Sequence, residues 1–509
     1  MMVLSLLGML TNIIFFLPVV LFILIAYNLL KNYIACNKLN RHGGSYKKIP
    51  EPASLPILGH SMFIFTMKNQ DEFNYKLGKQ FEEYGVYRIR NTLLGMNLVF
   101  VLKPEWAKYI LSRPDEFPRG EFLPKFFPLL GKGLLTSDGD LHRFQKRVLA
   151  KAFTTPQLQK YVPVFDRHTK DFVKKLISII DSKKDGTNIP IRKYSNVFSF
   201  NTIAEIAFGY KFSEKSSNTY LNAIQQQTES LKNWKGRVLL KLVPFLRYIP
   251  AINKMVTAEN GRQVLADVLL TRKQKVETDS LTEFEKNDML SIMMRERDEK
   301  TGQIFTDQMI QDACFTFMLA GYETTASAIP IVLYYMAKYP KEQSKCRTEI
   351  MNAIPTPNDT MNFKHLDLPY TTAFIRETLR LFPTVNGNGR MCGKDTTIED
   401  YFFPKGTHFA FSNYFLNRDP ELFDYPDGFL PERFLPDSGI KCGNILTFGY
   451  GPFNCIGKNF AMYELKIVTA RLLQHFEVGA LDEGYEEFNR RQMLTVRLDP
   501  EIHVRLRTL

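Results

Sequence analysis

Cysteine is scarce in this chain: six in 509 residues, at positions 36, 314, 346, 392, 442 and 455. Their spacing fits neither a disulfide framework nor a zinc site. That excludes a disulfide-stapled secreted scaffold and points to a reducing compartment. No G-x-G-x-x-G run follows a strand-like stretch, so no flavin or nicotinamide fingerprint is carried. Nucleic-acid motifs, internal repeats and low-complexity tracts are missing as well. The net charge is +13, yet the basic residues are scattered. A basic balance suits nucleic acid, anionic lipid or an acidic protein; without a motif, nucleic acid is not an expected partner. Charge is wholly absent from Met1–Leu30.

That uncharged start is the first positive feature. Ile13–Ala26 is almost purely apolar, and flanking leucines extend it toward the roughly 20 residues that a membrane span needs. Lys31, Lys38, Arg41, Lys47 and Lys48 follow. Basic residues after an apolar run place that side in the cytosol and would face anionic headgroups. A cleaved signal peptide would show a charged n-region and a small-residue cleavage site, and neither is present. The expected organisation is a transmembrane anchor over 1–30, a basic and proline-rich linker over 31–60, and one large body over 61–509. Pro50, Pro52 and Pro56 stiffen that linker. The body is rich in aromatics, with 41 Phe and 23 Tyr, which suits a large aromatic-lined interior.

The stretch Phe448–Gly457, FGYGPFNCIG, sets one cysteine among glycines at 449, 451 and 457. Glycine lets a chain turn sharply and lie close to a flat partner. Lys458–His475 has helical spacing, so Cys455 precedes a helix N-terminus, which favours an anion and lowers a thiol pKa. A thiolate so placed can ligate iron, including haem iron. The competing reading is a buried structural cysteine in a glycine turn.

Earlier in the chain, Val86–Arg90 and Leu98–Leu102 read as strands and Lys103–Leu111 as a helix. Phe117–Leu135 reads as a long loop, and long loops tend to be functional. Leu141–Phe153 has helical spacing with a basic face at Arg143, Lys146, Arg147 and Lys151; such faces are usually solvated. Leu158–Ile180, Tyr194–Phe208 and Tyr220–Lys232 read as helices. Val238–Met255 is apolar and basic, either interfacial or core. Glu277–Asn287 reads as a charged surface connection.

Thr306–Lys338 is the longest helical pattern, with Thr306 as N-cap and Pro340 as terminator. At about 1.5 Å per residue it runs ~50 Å. Its apolar middle, Phe315–Leu319, is interrupted by Ala320–Thr325, AGYETT. A carboxylate inside a buried helix is costly without partners, Gly321 weakens the helix, and Pro330 deletes the bond to Ala326 and should kink it. The bland alternative is a solvent-facing polar patch with back-bonded threonines. Further on, Glu377 and Arg380 lie three apart in a helix over Pro369–Phe382. On a surface that pair is worth about 0.2–0.5 kcal/mol, but Leu379, Leu381 and Phe382 around it favour burial.

Phe448, Gly449, Gly451, Cys455 and Gly457, followed by Ala461 and Glu464, resemble the haem-binding signature of the cytochrome P-450 family. AGYETT is similar to the family's A/G-G-x-D/E-T-T run, ETLR to its E-x-x-R, and Pro431–Phe434, PERF, to the segment that completes the latter. These stand in the family's order, so the resemblance covers essentially the whole chain. It implies a mainly α fold with a small β-rich lobe, binding haem b (iron protoporphyrin IX) with Cys455 as metal ligand. Ala320 or Gly321 would flank an opening for O2, and Glu323 and Thr324 would relay protons. Glu377, Arg380 and Arg433 would form a structural triad. Arg390, and His142 and Lys146 in place of the family's Trp and Arg, would face the propionates. One position departs: the family's basic residue two before the cysteine is Phe453 here. The implied function is monooxygenation of a lipophilic substrate (a steroid, a fatty acid or another apolar compound). Electrons would come from a separate NADPH-cytochrome reductase, at the cytosolic side of the endoplasmic reticulum membrane. Its rivals are an O2-independent haem-thiolate isomerase or dehydratase and a non-catalytic haem sensor or carrier. The 117–135 loop, Phe315–Leu319, Thr384–Asn388 and Met493–Val496 would line the pocket.

Overall fold

The computed structural model describes residues 22–23, 25–34, 46–61, 70–93, 95–120, 130–183, 189–213, 217–218, 221–222, 259–479, 489–492, 495–499 and 501–509. Residues 1–21 and 24 of the expected anchor, the 238–255 segment and most of 220–232 lie outside these residues. Among the described residues no helix is long and apolar enough to cross a membrane.

The molecule is mostly helical, with two hydrophobic clusters, one among the helices and one in a small β lobe. Six helices place the site: α1 (Gly139–Ala150), α2 (Thr155–Lys183), α3 (Ile191–Phe208), α4 (Asp307–Lys338), α5 (Pro369–Leu381) and α6 (Lys458–His475). The lobe holds a four-stranded sheet of β1 (Val86–Asn91), β2 (Met96–Val101), β3 (Gly387–Met391) and β4 (His408–Ser412), in the order β1-β2-β4-β3. The β2–β4 pair is parallel and joins chain segments some three hundred residues apart, with Val99 opposite Phe409. The proline-rich stretch lies along β1: Glu51 accepts from the guanidiniums of Arg88 and Arg90, and His60 N–H donates to Arg90 O.

Helix α4 starts where its cap predicts, with Thr306 Oγ1 accepting from Met309 N–H. It runs unbroken through Pro330. The carbonyl that the proline orphans finds another donor. Ala326 O accepts from Ser195 Oγ of α3 at 2.9 Å, which satisfies a group that would otherwise be buried unpaired. Gly321 has a packing reason too, since a Cβ there would stand 2.8 Å from Ile203 Cγ1 of α3.

The Glu285 end of the predicted surface connection is interior instead. Glu285 is buried and takes Lys275 Nζ at 2.5 Å, because Arg272 and Lys275 on the preceding helix supply its countercharge.

Glu377, Arg380 and Arg433 are all inside. Arg380 forms a fork on Glu377, Nε to Oε2 at 2.7 Å and Nη2 to Oε1 at 2.8 Å. Arg433 Nε and Leu430 N–H add bonds to Oε1 at 3.1 and 2.9 Å. The spare guanidinium hydrogens tie down the 417–428 meander: Arg380 donates to the carbonyls of Asn417, Pro426 and Gly428. Asn417 then accepts from Leu446 N–H and donates to Thr447 Oγ1. The triad thus supports the residues that lead into the cysteine loop.

Candidate active site

The cysteine loop is a closed backbone ring. Cys455 N–H donates to Phe448 O at 2.8 Å, and a 3-10 turn over Gly451–Phe453 lies between. Gly449 and Gly451 sit at φ 73° and 71°, where glycine carries no steric penalty. At Gly451 the requirement is doubled, since a Cβ would stand 2.3 Å from Leu111 O. Gly457 has an ordinary φ, and a Cβ there would meet nothing closer than 3.8 Å. Cys314, Cys346 and Cys392 are buried, whereas Cys455 is exposed. Helix α6 begins three residues after it. Although the residue is accessible, protein packed around the sulfur pushes the thiol pKa up, while Gly457 N–H at the helix start, Lys146 and Lys458 pull it down, as the helix-start argument expects. A thiolate there would be held by that N–H, the two cations and any metal cation bound to the sulfur.

Lys146 of α1 clasps this loop, donating to Pro452 O and to Asn454 Oδ1, the latter at 2.7 Å. His142, one turn earlier, sets its ring edge-on to Phe453 at 4.4 Å between centroids. Burial, then the nearby Arg119, pushes its pKa down to about 3, so it is a neutral donor at working pH. Arg390 lies in β3, buried, with its Cζ 4.7 Å from the Phe453 ring. Its Nη1 reaches Gly389 O, while its Nε is buried with no partner. Arg119, which no sequence motif singled out, joins them with its Cζ 4.1 Å from the same ring.

Opposite this cluster, α4 is buried from Asp312 to Met336 except at Ala320, Gly321 and Thr324. Those three positions are spaced i, i+1, i+4, a single stripe on one face. Thr324 Oγ1 donates to Ala320 O at 2.7 Å. The back-bonded threonine is therefore real, but the patch is not solvent-facing, because Glu323 is buried. Phe153 bridges two helices: it stacks on Phe317 of α4 at 5.7 Å and meets Phe460 of α6 edge-on at 6.2 Å. Of the expected pocket stretches, 121–129 and 493–494 lie outside the described residues. Two of the others meet where Val496 N–H donates to Thr384 O.

The cytochrome P450 family model matches residues 49–505. The chain belongs to the cytochrome P450 family. It is similar to the probable cytochrome P450 4d20 of Drosophila melanogaster, 27% identical over 86% of this chain and 88% of that one. It is also similar to cytochrome P450 4A11 of Homo sapiens, 29% identical over 85% and 83%. The solved heme domain of cytochrome P450DA shares the fold, with TM-score 0.78 at 20% identity over 91% of this chain and 98% of that one. As a P450 the chain is a haem-dependent monooxygenase, an oxidoreductase whose cofactor is haem b. The residues fit that group. An accessible thiol sits on a glycine ring whose Phe453 is flanked by half-buried Arg119 and by buried Arg390 with its orphaned Nε, and no carboxylate is in ion-pair reach of either among the described residues. A dicarboxylate porphyrin complements both.

The signature's last residue carries a separate consequence. Glu464 of α6 is buried, and neither oxygen has a hydrogen-bond partner, although the hydroxyls of Thr325 and Ser199 face it. Burial raises its pKa from 4.5 to about 8. The unfolded chain therefore loses this proton well below the pH at which the folded protein does. Stability should fall between about pH 4.5 and 8 by roughly 1.4 kcal/mol per unit from this group alone. Glu464→Gln removes that slope. Its urea midpoint should exceed the parent's by a margin that widens from pH 5 to 8; a constant margin counts against the buried neutral acid.

Proposed function

We propose that this P450 oxidises a lipophilic substrate with electrons from a separate NADPH-dependent reductase, at the cytosolic face of the endoplasmic reticulum membrane, anchored by residues 1–30. Cys455 would hold the haem iron through its sulfur, on the loop shaped by Phe448, Gly449, Gly451 and Gly457. Arg390, His142 and Lys146 would hold the porphyrin's carboxylates, Lys146 through the loop it clasps. The observation that carries the reading is the stripe of Ala320, Gly321 and Thr324, left open in an otherwise buried helix with Glu323 buried beside it. When bound, haem supplies the iron at which O2 is activated.

The chain's own part is proton handling and exclusion of water. Thr324 Oγ1 gives its hydrogen to Ala320 O, which leaves its lone pairs to accept a proton donor, such as an ordered water, at the open stripe. Glu323 on the same turn is the acid that replenishes that donor. The apolar residues Phe315–Leu319 before it keep bulk water away. General acid–base groups contribute about 10²–10⁴-fold. Thr324→Ala should keep haem and substrate binding while diverting reducing equivalents into hydrogen peroxide. Product formed per NADPH consumed, with the microsomal reductase and peroxide assayed alongside, checks this. Unchanged coupling removes the threonine from the mechanism, and turnover without O2 uptake would favour an isomerase or dehydratase. In the same microsomes, added protease should degrade the body from the cytosolic side; a protected body contradicts the topology.

A further inference from the structure

The open stripe of α4 ends abruptly. Asp312, Thr316, Ala320 and Thr324 follow one another at intervals of four, a single ridge along the helix. The last two are open, whereas Asp312 and Thr316 are buried. Backbone lies over them. The segment Leu130–Ser137, which leads into α1, crosses these two turns with glycine at 131 and 133. A Cβ at Gly131 would collide with the Asp312 carboxylate, and Gly131 also stands at φ 54°. A Cβ at Gly133 would collide with Thr316 Oγ1 and stand 2.8 Å from Asp312 O.

Hydrogen bonds fix the segment there. Asp312 Oδ2 accepts Lys132 N–H at 2.8 Å, and Oδ1 accepts Gln308 Nε2 at 3.0 Å. Gln145 of α1 donates from Nε2 to Lys132 O at 2.8 Å. The backbone of Lys132 is thus tied to α4 through its N–H and to α1 through its carbonyl. Thr136 Oγ1 donates to Gly131 O at 2.7 Å and keeps the turn in shape. Leu130 and Leu134 on either side are buried in the helical cluster. Thr316 Oγ1 spends its hydrogen within its own helix, on Asp312 O at 2.8 Å. A bond from a backbone N–H to a carboxylate is roughly twice as strong as a neutral one. No apolar side chain at 131–133 shares this work, since the run is Gly-Lys-Gly.

We propose that Asp312 is a specificity-determining residue. It latches the Gly131–Gly133 backbone over Thr316 as the end wall of the substrate space, and so limits how far an apolar chain extends from Ala320 toward the start of α4. The proposal rests on the haem and lipophilic-substrate reading above. It makes the length of the site depend on one buried carboxylate rather than on a bulky side chain. Without the latch the main chain lifts from Thr316, and the space gains up to one helical turn, about 5.4 Å.

The test uses full-length protein and 1-alkylimidazoles, whose ring nitrogen ligates haem iron, with tails lengthened one methylene at a time from butyl to dodecyl. Affinity, read from the Soret shift, should rise about fourfold per buried methylene in the parent and level off where the tail meets the wall. In Asp312→Ala the levelling should move to longer tails. The longest members should then bind at least about tenfold tighter than to the parent, two added methylenes' worth, and the shortest equally. Hydrogen exchange of the Lys132 amide, a readout that needs no haem, should quicken about ten- to a hundredfold in the same variant. Faster exchange with an unmoved levelling point would show a latch that is not the wall and overturn the proposal. Unchanged exchange would overturn it too, as would a parent series that never levels off, or a loss of affinity equal at every tail length, the mark of a merely structural residue. Should Asp312→Ala not fold, Asp312→Asn serves: it keeps the shape with a neutral acceptor and must show both effects in smaller degree. A parent whose Soret band no imidazole shifts would instead overturn the haem reading itself.

Discussion

Glu377→Ala is expected to yield almost no folded, haem-loaded protein. The carboxylate is fully buried and takes four hydrogen bonds, two from Arg380, one from Arg433 and one from Leu430 N–H. Its removal leaves two guanidiniums in the interior with no countercharge. Breaking a buried pair from one side costs about 3–5 kcal/mol, a large part of the 5–15 kcal/mol that typically holds a domain together. The damage should also travel. Arg380 ties down Asn417, Pro426 and Gly428, and Asn417 in turn holds Leu446 and Thr447 at the entry to the cysteine loop. Haem content should therefore fall with stability. Glu377→Gln keeps the shape and one acceptor oxygen and should be milder, though still destabilised. Haem-to-protein ratio and the urea midpoint measure both effects. Parent-like values for the alanine variant would show the triad to be dispensable.

How much of this was legible in the sequence depends on the range of the forces involved. The cap at Thr306, the end at Pro340 and the glycine turn before Cys455 are local, and each could be read from a few residues. The motifs ETLR and PERF gave the triad because they name charges that burial must pair. What satisfies the carbonyl that Pro330 orphans could not be read locally, because the donor, Ser195, lies on another helix. Gly321 looked like a weakness and is a contact with Ile203. Arg119 carried no motif at all. Its only signal was indirect: an aromatic at 453 where a cation was expected implies that a charge must arrive from elsewhere.

Cys455→Ala is expected to abolish the red-shifted Soret band of the reduced, carbon-monoxide-treated protein and to reduce turnover to background. The physical case is that the substitution removes the sulfur and little else. The loop is closed by backbone groups, Cys455 N–H to Phe448 O and Asn454 N–H to Gly451 O, and alanine retains these. Lys146 holds the same loop through Pro452 O and Asn454 Oδ1, again without the sulfur. Porphyrin should still be held in part by the cations around Phe453, so haem content should fall less than the spectrum changes. Position should matter as well as element. Cys392→Ala, at a buried site where the thiol bonds Lys394 O, should leave the band intact whatever it does to stability. A thiolate at this position would supply the electron density that favours O–O cleavage when haem is bound; a variant that binds porphyrin without it should consume NADPH poorly and form no product. The decisive comparison is the reduced spectrum at matched haem content. A Cys455→Ala protein that keeps the thiolate band would move the axial ligand to another residue and undo the assignment of this loop.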